Sequence, residues 1–253
     1  MNTPACFDIS SGRITTDNNV QYLFISGLEQ KGIRHFFTTK NSYGGSRIPF
    51  DMEKNFITVK QVHGDNILII DSPVNDINSL AADAKQRQSD AIITNQSHIG
   101  IGVYTADCLP ILLCDPVRSV IAAVHAGWRG TIMGILSKVV CQMVYIFKCQ
   151  PDNILAGMGP AIGSCCYAVG ETVIEPLKSV NPEWERFLIP TEYGKAKLDL
   201  TSLNIMQIED AGILSKNIYS VGLCTSCSNE LFFSYRRDGI GTGRMVSGIM
   251  LVQ

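Results

Sequence analysis

The sequence of 253 residues is poor in charge, in histidine and in long apolar runs: 17% of its residues are charged and four are His. No stretch approaches the roughly 18 consecutive apolar residues that a membrane span requires, so we expect no membrane segment. The N-terminus lacks a basic segment followed by an apolar one, so no signal peptide is predicted and we expect a cytoplasmic protein. The formal net charge of −2 argues against nucleic acid as the main partner.

Nine cysteines are present, an odd number without the spacing of a disulfide framework. This usage is typical of reduced thiols in a reducing compartment. Cys224 and Cys227 form a CxxC motif, and Cys165 and Cys166 are adjacent. With no second CxxC or CxxH in the sequence to complete a site, the role of the CxxC stays open between redox chemistry, metal binding and simple packing.

Short apolar runs bounded by turn residues predict strands, and a sustained 3.6-residue apolar period after Thr131 predicts the main helix. Apolar residues make up 45% of the chain, enough for a large core. We interpret the chain as one mixed α/β domain over residues 1–253, with residues 1–20 as an extended lead-in. Strands are predicted at 22–26, 33–38, 56–62, 66–71, 91–94, 111–114, 120–124, 154–158, 217–221 and 245–252, with 56–62 and 66–71 as a pair. Helices are predicted from a Thr131 N-cap to about 147, from 171 to about 180, and from 200 to about 212, with a short helical turn within 72–88 and an irregular segment at 182–194.

Three reactive side chains close predicted strands. Cys108 lies just before the run 111–114, His125 directly follows the run 120–124, and His63 follows the apolar run 56–59. A thiol and an imidazole at the ends of neighbouring strands can meet in space. Zinc takes thiolate and imidazole ligands, and three protein ligands leave a fourth position open for water or substrate. These residues are therefore a candidate open metal site.

Several basic residues lie in glycine-rich turns, where an anion can approach the backbone. Arg129 lies in Gly127-Trp128-Arg129-Gly130, directly before the main predicted helix, and helix N-termini attract anions. Arg236, Arg237 and Arg244 lie within nine residues, among glycines. Lys40 precedes a loop with two glycines. Each has an ordinary alternative: a tight turn, a surface ion-pair network or a solvated loop lysine.

Five motifs in order resemble the polyphenol oxidase or laccase-domain family, whose members are also described as purine nucleoside phosphorylases. The resemblance runs from about His35 to the C-terminus. The motifs are Lys60-Gln61-Val62-His63-Gly64, Thr105-Ala106-Asp107-Cys108-Leu109-Pro110, Val124-His125-Ala126-Gly127-Trp128-Arg129-Gly130, Gly159-Pro160-Ala161-Ile162-Gly163-Ser164-Cys165-Cys166-Tyr167, and Phe233-Ser234-Tyr235-Arg236-Arg237-Asp238 with Thr242-Gly243-Arg244.

The resemblance implies an α+β fold of packed mixed β-sheets flanked by helices, similar to the catalytic domain of a cytotoxic necrotizing factor. It also implies that His63, Cys108 and His125 bind zinc, and that the substrates are adenosine, inosine, guanosine and methylthioadenosine. The sequence departs from the family in two places. Lys40 stands where an arginine is usual, which loses the bidentate fork. Residues 46–60 replace a longer segment of the substrate pocket.

We therefore predict a zinc-dependent enzyme of purine nucleosides, acting by phosphorolysis or by deamination of adenosine, with nucleoside and phosphate as its small-molecule partners. Arg129, Arg236, Arg237, Arg244 and Lys40 are the candidate phosphate or substrate ligands. Cys108, His125, Asp107 and Arg129 are the candidate catalytic groups, with Asp107 either a general acid/base or the partner of a ligating histidine.

Three alternatives keep the same residues. In the first, Cys108 is a nucleophile and His125 or His63 its base, in an amide hydrolase or deamidase, including a role in editing cell-wall precursors. The second is a copper-dependent polyphenol oxidase, which ranks low because multicopper sites need many histidines and no His-x-His pair occurs here. The third is a zinc-stabilised binding module without turnover. The oligomeric state is left open.

Overall fold

The computed structural model describes residues 12–17, 20–42, 48, 50–191 and 195–252, which form fifteen strands and six α-helices. The strands are β1 (Gly12–Asp17), β2 (Val20–Ile25), β3 (Ile33–Thr38), β4 (Phe56–Ile57), β5 (Ile67–Ile70), β6 (Ala91–Thr94), β7 (Gly100–Thr105), β8 (Leu109–Asp115), β9 (Val120–Ala126), β10 (Leu155–Met158), β11 (Ala168–Val169), β12 (Leu188–Pro190), β13 (Ala196–Leu198), β14 (Ile218–Ser220) and β15 (Met245–Leu251). The helices are α1 (Ile77–Ala84), α2 (Trp128–Ile132), α3 (Ile135–Phe147), α4 (Glu171–Val180), α5 (Leu200–Asp210) and α6 (Tyr235–Asp238).

Two six-stranded mixed sheets pack against each other and position the site. The first has the order β1-β2-β3-β15-β7-β4, and the second has the order β14-β10-β8-β9-β6-β5. Strand β9 shows how the layers form, since its side chains alternate between two faces. Ile121 and Ala123 belong to the core between the sheets, while Ala122 and Val124 belong to the core under helix α3. A strand buried on both faces is continuously apolar, as the sequence is here.

The expected pairing of 56–62 with 66–71 is wrong. Strand β4 pairs in parallel with β7 in the first sheet, and β5 pairs in parallel with β6 in the second. The intervening segment crosses from one sheet to the other, and His63 takes a left-handed conformation there (φ 59°). Two strands that are neighbours in the sequence can therefore belong to different sheets. The apolar runs alone do not show whether the segment between them is a hairpin turn or a crossing between sheets.

The long helix predicted after Thr131 is instead two helices, α2 and α3. Gly134 (φ 73°) breaks the chain direction between them, and glycine adopts this left-handed conformation readily. Gly127 and Gly134 occupy the two N-cap positions. Thr131 is therefore no cap, and its buried hydroxyl contacts the side chain of Asn204 on α5.

The remaining differences from the expected elements lie where glycine or proline obscures the pattern. Strand β7, which contains two glycines, was not predicted, and the segment 182–194 contains strand β12. A third, three-stranded sheet has the order β11-β13-β12. Within the expected lead-in 1–20, residues 12–17 form β1, whereas residues 1–11, 18 and 19 lie outside the described residues.

The predicted mixed α+β fold of packed sheets flanked by helices is confirmed. Its similarity to the toxin domain and the assignment of residues 1–253 to one domain stay predictions. In the described part of the chain, no helix has the length and apolar character needed to cross a bilayer.

Candidate metal centre and cavity

Cys108 and His125 meet because β8 and β9 are antiparallel neighbours. Their register places Pro110 opposite His125 and Leu109 opposite Ala126, so Cys108, just before β8, lies beside the end of β9. Ligand atoms of His63, Cys108 and His125 all lie within 4.8 Å of one another. The structure thus brings together the three residues that the sequence analysis selected.

His63 reaches this centre from the segment that crosses between the sheets. The backbone N–H groups of Val62, His63 and Gly64 all donate to the carboxylate of Asp90, at 3.1, 2.9 and 2.7 Å. Asp90 directly precedes β6 and is fully buried. One carboxylate therefore holds the turn that carries His63.

The same carboxylate orients the second histidine. His125 Nδ1 lies 2.7 Å from Asp90 Oδ1, and the backbone N–H of His125 donates to the Asp90 carbonyl at 2.8 Å. With Nδ1 bonded to a carboxylate, Nε2 is the ring nitrogen left for Cys108 and a metal. Carboxylate, histidine and metal form a common arrangement in which the carboxylate fixes the ring and its tautomer.

The absence of a side chain at Gly127 leaves space for the side chains of Cys108 and His63. A Cβ at this position would lie 3.1 Å from Cys108 Sγ and 3.3 Å from His63 Cδ2. The two imidazole rings meet edge to face, with centroids 4.8 Å apart and an interplanar angle of 79°. Any side chain at position 127 would push into the space between thiol and imidazole.

The charges of Cys108 and His125 stabilise each other. Burial raises the pKa of the Cys108 thiol, but His125 and His63 lower it more, so the net pKa falls below its ordinary value. Burial lowers the pKa of the His125 imidazole, but the Cys108 thiolate and Asp90 raise it more, so the net pKa rises. The pKa of Asp90 is raised by burial and lowered more strongly by His125 and the backbone N–H groups. Without a metal the centre favours a thiolate beside an imidazolium.

The donor set fits zinc. Two imidazoles and one thiolate are borderline-soft ligands of the kind that zinc takes, and a count of three is typical of open zinc sites. The thiol already favours the thiolate that a metal requires, and His125 has its orienting carboxylate. His63, Cys108 and His125 could therefore hold one zinc ion with a position open towards the cavity.

The centre lies in the wall of a cavity of about 700 Å³. This volume is within the usual range for small-molecule sites. The cavity is lined by aromatic, cationic and polar side chains, which include Tyr104, Trp128, Tyr167, Tyr235, Arg129, Arg236, Arg244, Gln61 and Asp107. Planar and anionic groups of a ligand would both find partners there.

The five basic candidates separate into two groups. Arg129, Arg236 and Arg244 line the cavity, and the Arg129 guanidinium lies 4.4 Å from the Trp128 ring centroid. Among the described residues, Lys40 and Arg237 do not line it. Lys40 Nζ donates to the carbonyl of Asn229, while the Arg237 guanidinium pairs with Asp238 and donates to the carbonyl of Phe232. Lys40 and Arg237 therefore stabilise the loop that contains Asn229 and Phe232.

Asp107 lies in the cavity wall and has a left-handed backbone (φ 90°). Its carboxylate accepts the Thr225 hydroxyl and the Arg236 backbone N–H, both at 2.6 Å. The carboxylate that pairs with His125 is Asp90, so of the two roles left open for Asp107, the partner of a ligating histidine is not filled by it at His125. The sequence gives a weak signal for Asp90, because this aspartate directly precedes the apolar run of β6. Its pairing with His125 requires the register between β6 and β9, which no motif encodes.

Comparison with known proteins places the chain in a family. Residues 45–252 match the family model described as multi-copper polyphenol oxidoreductase laccase. A purine nucleoside phosphorylase of Bacteroides thetaiotaomicron is 34% identical over 248 residues, covering 96% of this chain and 87% of that protein. A protein named adenosine deaminase RL5, from an unknown prokaryotic organism, is 34% identical and covers 77% of this chain and 74% of its own length.

The fold is likewise similar to a solved structure. The crystal structure of the hypothetical protein YfiH of Bacillus licheniformis superposes with a TM-score of 0.83 at 30% identity, covering 94% of this chain and 98% of that one. The match of the family model extends over most of the chain and includes every residue of the metal centre. The chain belongs to the multi-copper polyphenol oxidoreductase laccase family.

Proposed function

We propose that this chain is a zinc-dependent enzyme of purine nucleosides, which cleaves them with phosphate or deaminates adenosine. The observation that carries the proposal is the cavity itself: an open His63, Cys108 and His125 centre lies beside aromatic rings and three arginines. Relatives named purine nucleoside phosphorylase and adenosine deaminase support this class of substrate.

The aromatic side chains suit a purine base. Tyr104, Trp128, Tyr167 and Tyr235 line the cavity. Base stacking on such rings contributes about 1–3 kcal/mol per base. Because stacking tolerates different ring substituents, this recognition fits a substrate range that includes adenosine, inosine, guanosine and methylthioadenosine.

The arginines suit phosphate. Arg129 carries an exposed guanidinium over the Trp128 ring, and Arg244 lines the same cavity. Charge-assisted bonds from guanidinium to phosphate are short and bidentate. Placed next to the ribose, such a clamp would hold a phosphate oxygen for attack on C1′ while the bond from C1′ to the base breaks and the base leaves with its electron pair.

A zinc ion in the centre would supply Lewis acidity at its open position. The chain's own groups set the conditions for it. Asp90 keeps Nδ1 of His125 engaged, and the Cys108 and His125 pair supplies a thiolate at neutral pH. Asp107 fixes the backbone of Arg236 and the Thr225 loop, so we assign it a positioning role in the cavity wall.

Copper chemistry is less well supported. The chain has four histidines. His35 accepts the backbone N–H of Ile25 at 2.8 Å in the core, and His98 is exposed, which leaves two for the centre. Two histidines and one cysteine suit one metal ion, whereas a multicopper oxidase needs several histidine-rich centres.

A second candidate function rests on the same charge pair. A thiolate beside an imidazolium is the resting state of a cysteine nucleophile with its histidine base, as in amide hydrolases. Zinc discriminates between the two functions, because a thiolate bound to a metal is a poor free nucleophile. In the hydrolase, activity would be highest in the metal-free protein.

The test is metal content by mass spectrometry on untagged protein, with turnover of adenosine measured with and without phosphate. We expect zinc in the preparation, adenine formed only with phosphate or inosine formed without it, and loss of both products in Cys108→Ala. Turnover that survives complete zinc removal, or no purine product from any nucleoside, would overturn the proposal. Inosine alone would identify the deaminase.

The phosphate clamp has its own test. Arg129→Ala should raise the KM for phosphate by roughly 10-fold to 100-fold, since charge-assisted hydrogen bonds contribute about 1.5–3 kcal/mol. Arg118→Ala is the matched control, because Arg118 lies at the far end of β8 and donates to the Lys148 carbonyl. An unchanged KM in Arg129→Ala would remove this residue from the clamp.

A further inference from the structure

The fold completes the CxxC motif that the sequence left without partners. Cys224 and Cys227 lie beside the adjacent pair Cys165 and Cys166, and the four sulfur atoms are all within 4.8 Å of one another. The Cys227 sulfur lies 3.4 Å from that of Cys166 and 3.5 Å from that of Cys165. The cluster is separate from the His63, Cys108 and His125 centre.

Two loops bring the cysteines together through backbone pairing. Ala161 forms a bridge with Cys224, and the N–H of Thr225 donates to the Ala161 carbonyl at 2.9 Å. The first loop turns after Gly163, where the N–H groups of Cys166 and Tyr167 both donate to the Gly163 carbonyl. The cysteine pairs are thus delivered by ordered turns, so the spacing of the sulfurs is a property of the fold.

The sulfur separations match the edges of one tetrahedral ion. Zinc–sulfur bonds of about 2.3 Å place thiolates of a tetrahedral site roughly 3.8 Å apart. A disulfide would need about 2.05 Å between sulfurs. The separations of 3.4 and 3.5 Å lie near the first value and far from the second. All four sulfurs can therefore reach one central ion with small side-chain movements.

Neighbouring groups stabilise a thiolate once a metal has displaced its proton. The backbone N–H of Gly163 donates to Cys224 Sγ at 3.2 Å, and such bonds stabilise a negative sulfur. Two arginines lie beside the cluster: Arg236 donates to the Cys166 carbonyl, and Arg237 donates to the carbonyls of Thr225 and Ser226. Four thiolates around a divalent ion carry a net charge of −2, and the Arg236 guanidinium beside the Cys166 carbonyl offsets part of it.

We propose that Cys165, Cys166, Cys224 and Cys227 form a second zinc site, closed and structural. Four protein ligands leave no position for water or substrate, so the ion has no place in the reaction. Its effect is mechanical, because it fastens the loop before β11 to the loop before α6.

These two loops support the cavity wall. Tyr167, which lines the cavity, directly follows Cys166. On the other loop, Thr225 directly follows Cys224, and its hydroxyl binds Asp107. The ion therefore links the position of an aromatic wall to that of the Asp107 carboxylate. Its loss should loosen substrate binding and leave the metal of the other centre in place.

The experiment counts metals per chain on the full-length, untagged protein, grown with added zinc and exchanged through a mild chelator. We expect two zinc ions in the wild type, one in Cys227→Ser and one in Cys108→Ala. Cys141→Ser is the matched control, since this exposed cysteine on α3 belongs to neither cluster, and it should keep two. Cys227→Ser should also raise KM more than it lowers kcat.

Replacing zinc by cobalt in the Cys108→Ala variant distinguishes the two centres, because this variant keeps the four-cysteine site intact. We expect its absorption spectrum to show the strong ligand-field and sulfur charge-transfer bands of a tetrathiolate site. These bands should be absent from the double variant Cys108→Ala with Cys227→Ser. The proposal is overturned if Cys108→Ala holds no zinc or if the cluster holds iron. It is also overturned if the cysteines form a disulfide, which intact mass spectrometry would show as a loss of two hydrogens together with thiols that do not react with an alkylating agent. Because Cys108→Ala lacks the other centre, this outcome is independent of the proposed enzymatic function.

Discussion

Replacing Asp90 by asparagine changes one atom in the buried carboxylate that serves both histidines. Oδ1 accepts from the His63 backbone and from His125 Nδ1, and Oδ2 accepts from the backbones of Val62 and Gly64. An amide has one oxygen and one NH₂ group. With the NH₂ at the Oδ2 position, it faces two backbone donors and two of the four hydrogen bonds are lost. With the NH₂ at the Oδ1 position, two are lost as well unless His125 changes its tautomer.

The size of the effect follows from these contacts. Two unsatisfied donors cost at least about 2 kcal/mol of unfolding free energy. For a chain of this length, that lowers the Tm by about 4–8 °C. If the amide instead donates to His125 Nδ1, Nε2 carries the proton and cannot bind a metal. Loss of the orienting partner of a ligating histidine typically weakens metal binding 10-fold to 100-fold, or by about 1.4–2.7 kcal/mol.

The assay is zinc affinity by chelator competition at neutral pH, with the Tm of the metal-free protein recorded alongside. Asp115→Asn is the matched control, because Asp115 is equally buried and accepts the N–H groups of Val117 and Arg118 at the opposite end of β8. It should leave zinc affinity at this centre unchanged. A zinc affinity within twofold of wild type in Asp90→Asn would refute the assigned role of this carboxylate.

Three further predictions concern the centre and the core. Cys108→Ala should abolish turnover while leaving the Tm within a few degrees of that of the wild type; unfolding instead would favour a zinc-stabilised binding module. The pKa of His125 is raised to about 9, and this imidazolium must lose its proton to bind a metal, so zinc affinity should fall by about tenfold per pH unit as the pH is lowered from about 9 to about 6, the pKa of the Cys108 thiol. A pH-independent affinity would contradict this. Burial lowers the pKa of His35 from 6.5 to about 4, so the unfolded chain takes up a proton that the folded chain does not, and stability contributed by this residue falls by about 2 kcal/mol between pH 7 and pH 5. In urea titrations, the unfolding free energy of His35→Gln should lack this loss, whereas that of His98→Gln, changed at an exposed position, should keep it. If the unfolding free energy of the wild type and of both variants fell equally with pH, the loss would not come from His35.

Local pattern was sufficient for most of the fold. The continuous apolar runs of β6, β8 and β9 mark strands buried on both faces, and the glycine, aspartate and asparagine residues around them mark turns. Strand β7 escaped because Gly100 and Gly102 dilute its apolar character. Their lack of side chains leaves space for the Phe56 ring, a long-range contact that no local pattern shows.

The sequence by itself determined the chemistry of the centre, because His63, Cys108 and His125 each occupy the end of an apolar run in a recognisable motif. It could not determine what holds them. Asp90 becomes the partner of both histidines only when β6 pairs with β9 and the segment 60–64 crosses between the sheets. The same applies to Cys165 and Cys166, which lie about 60 residues from the CxxC motif. Side chains distant in the chain become ligands of one site through strand register and loop pairing, and these are decided by the packing of the whole core.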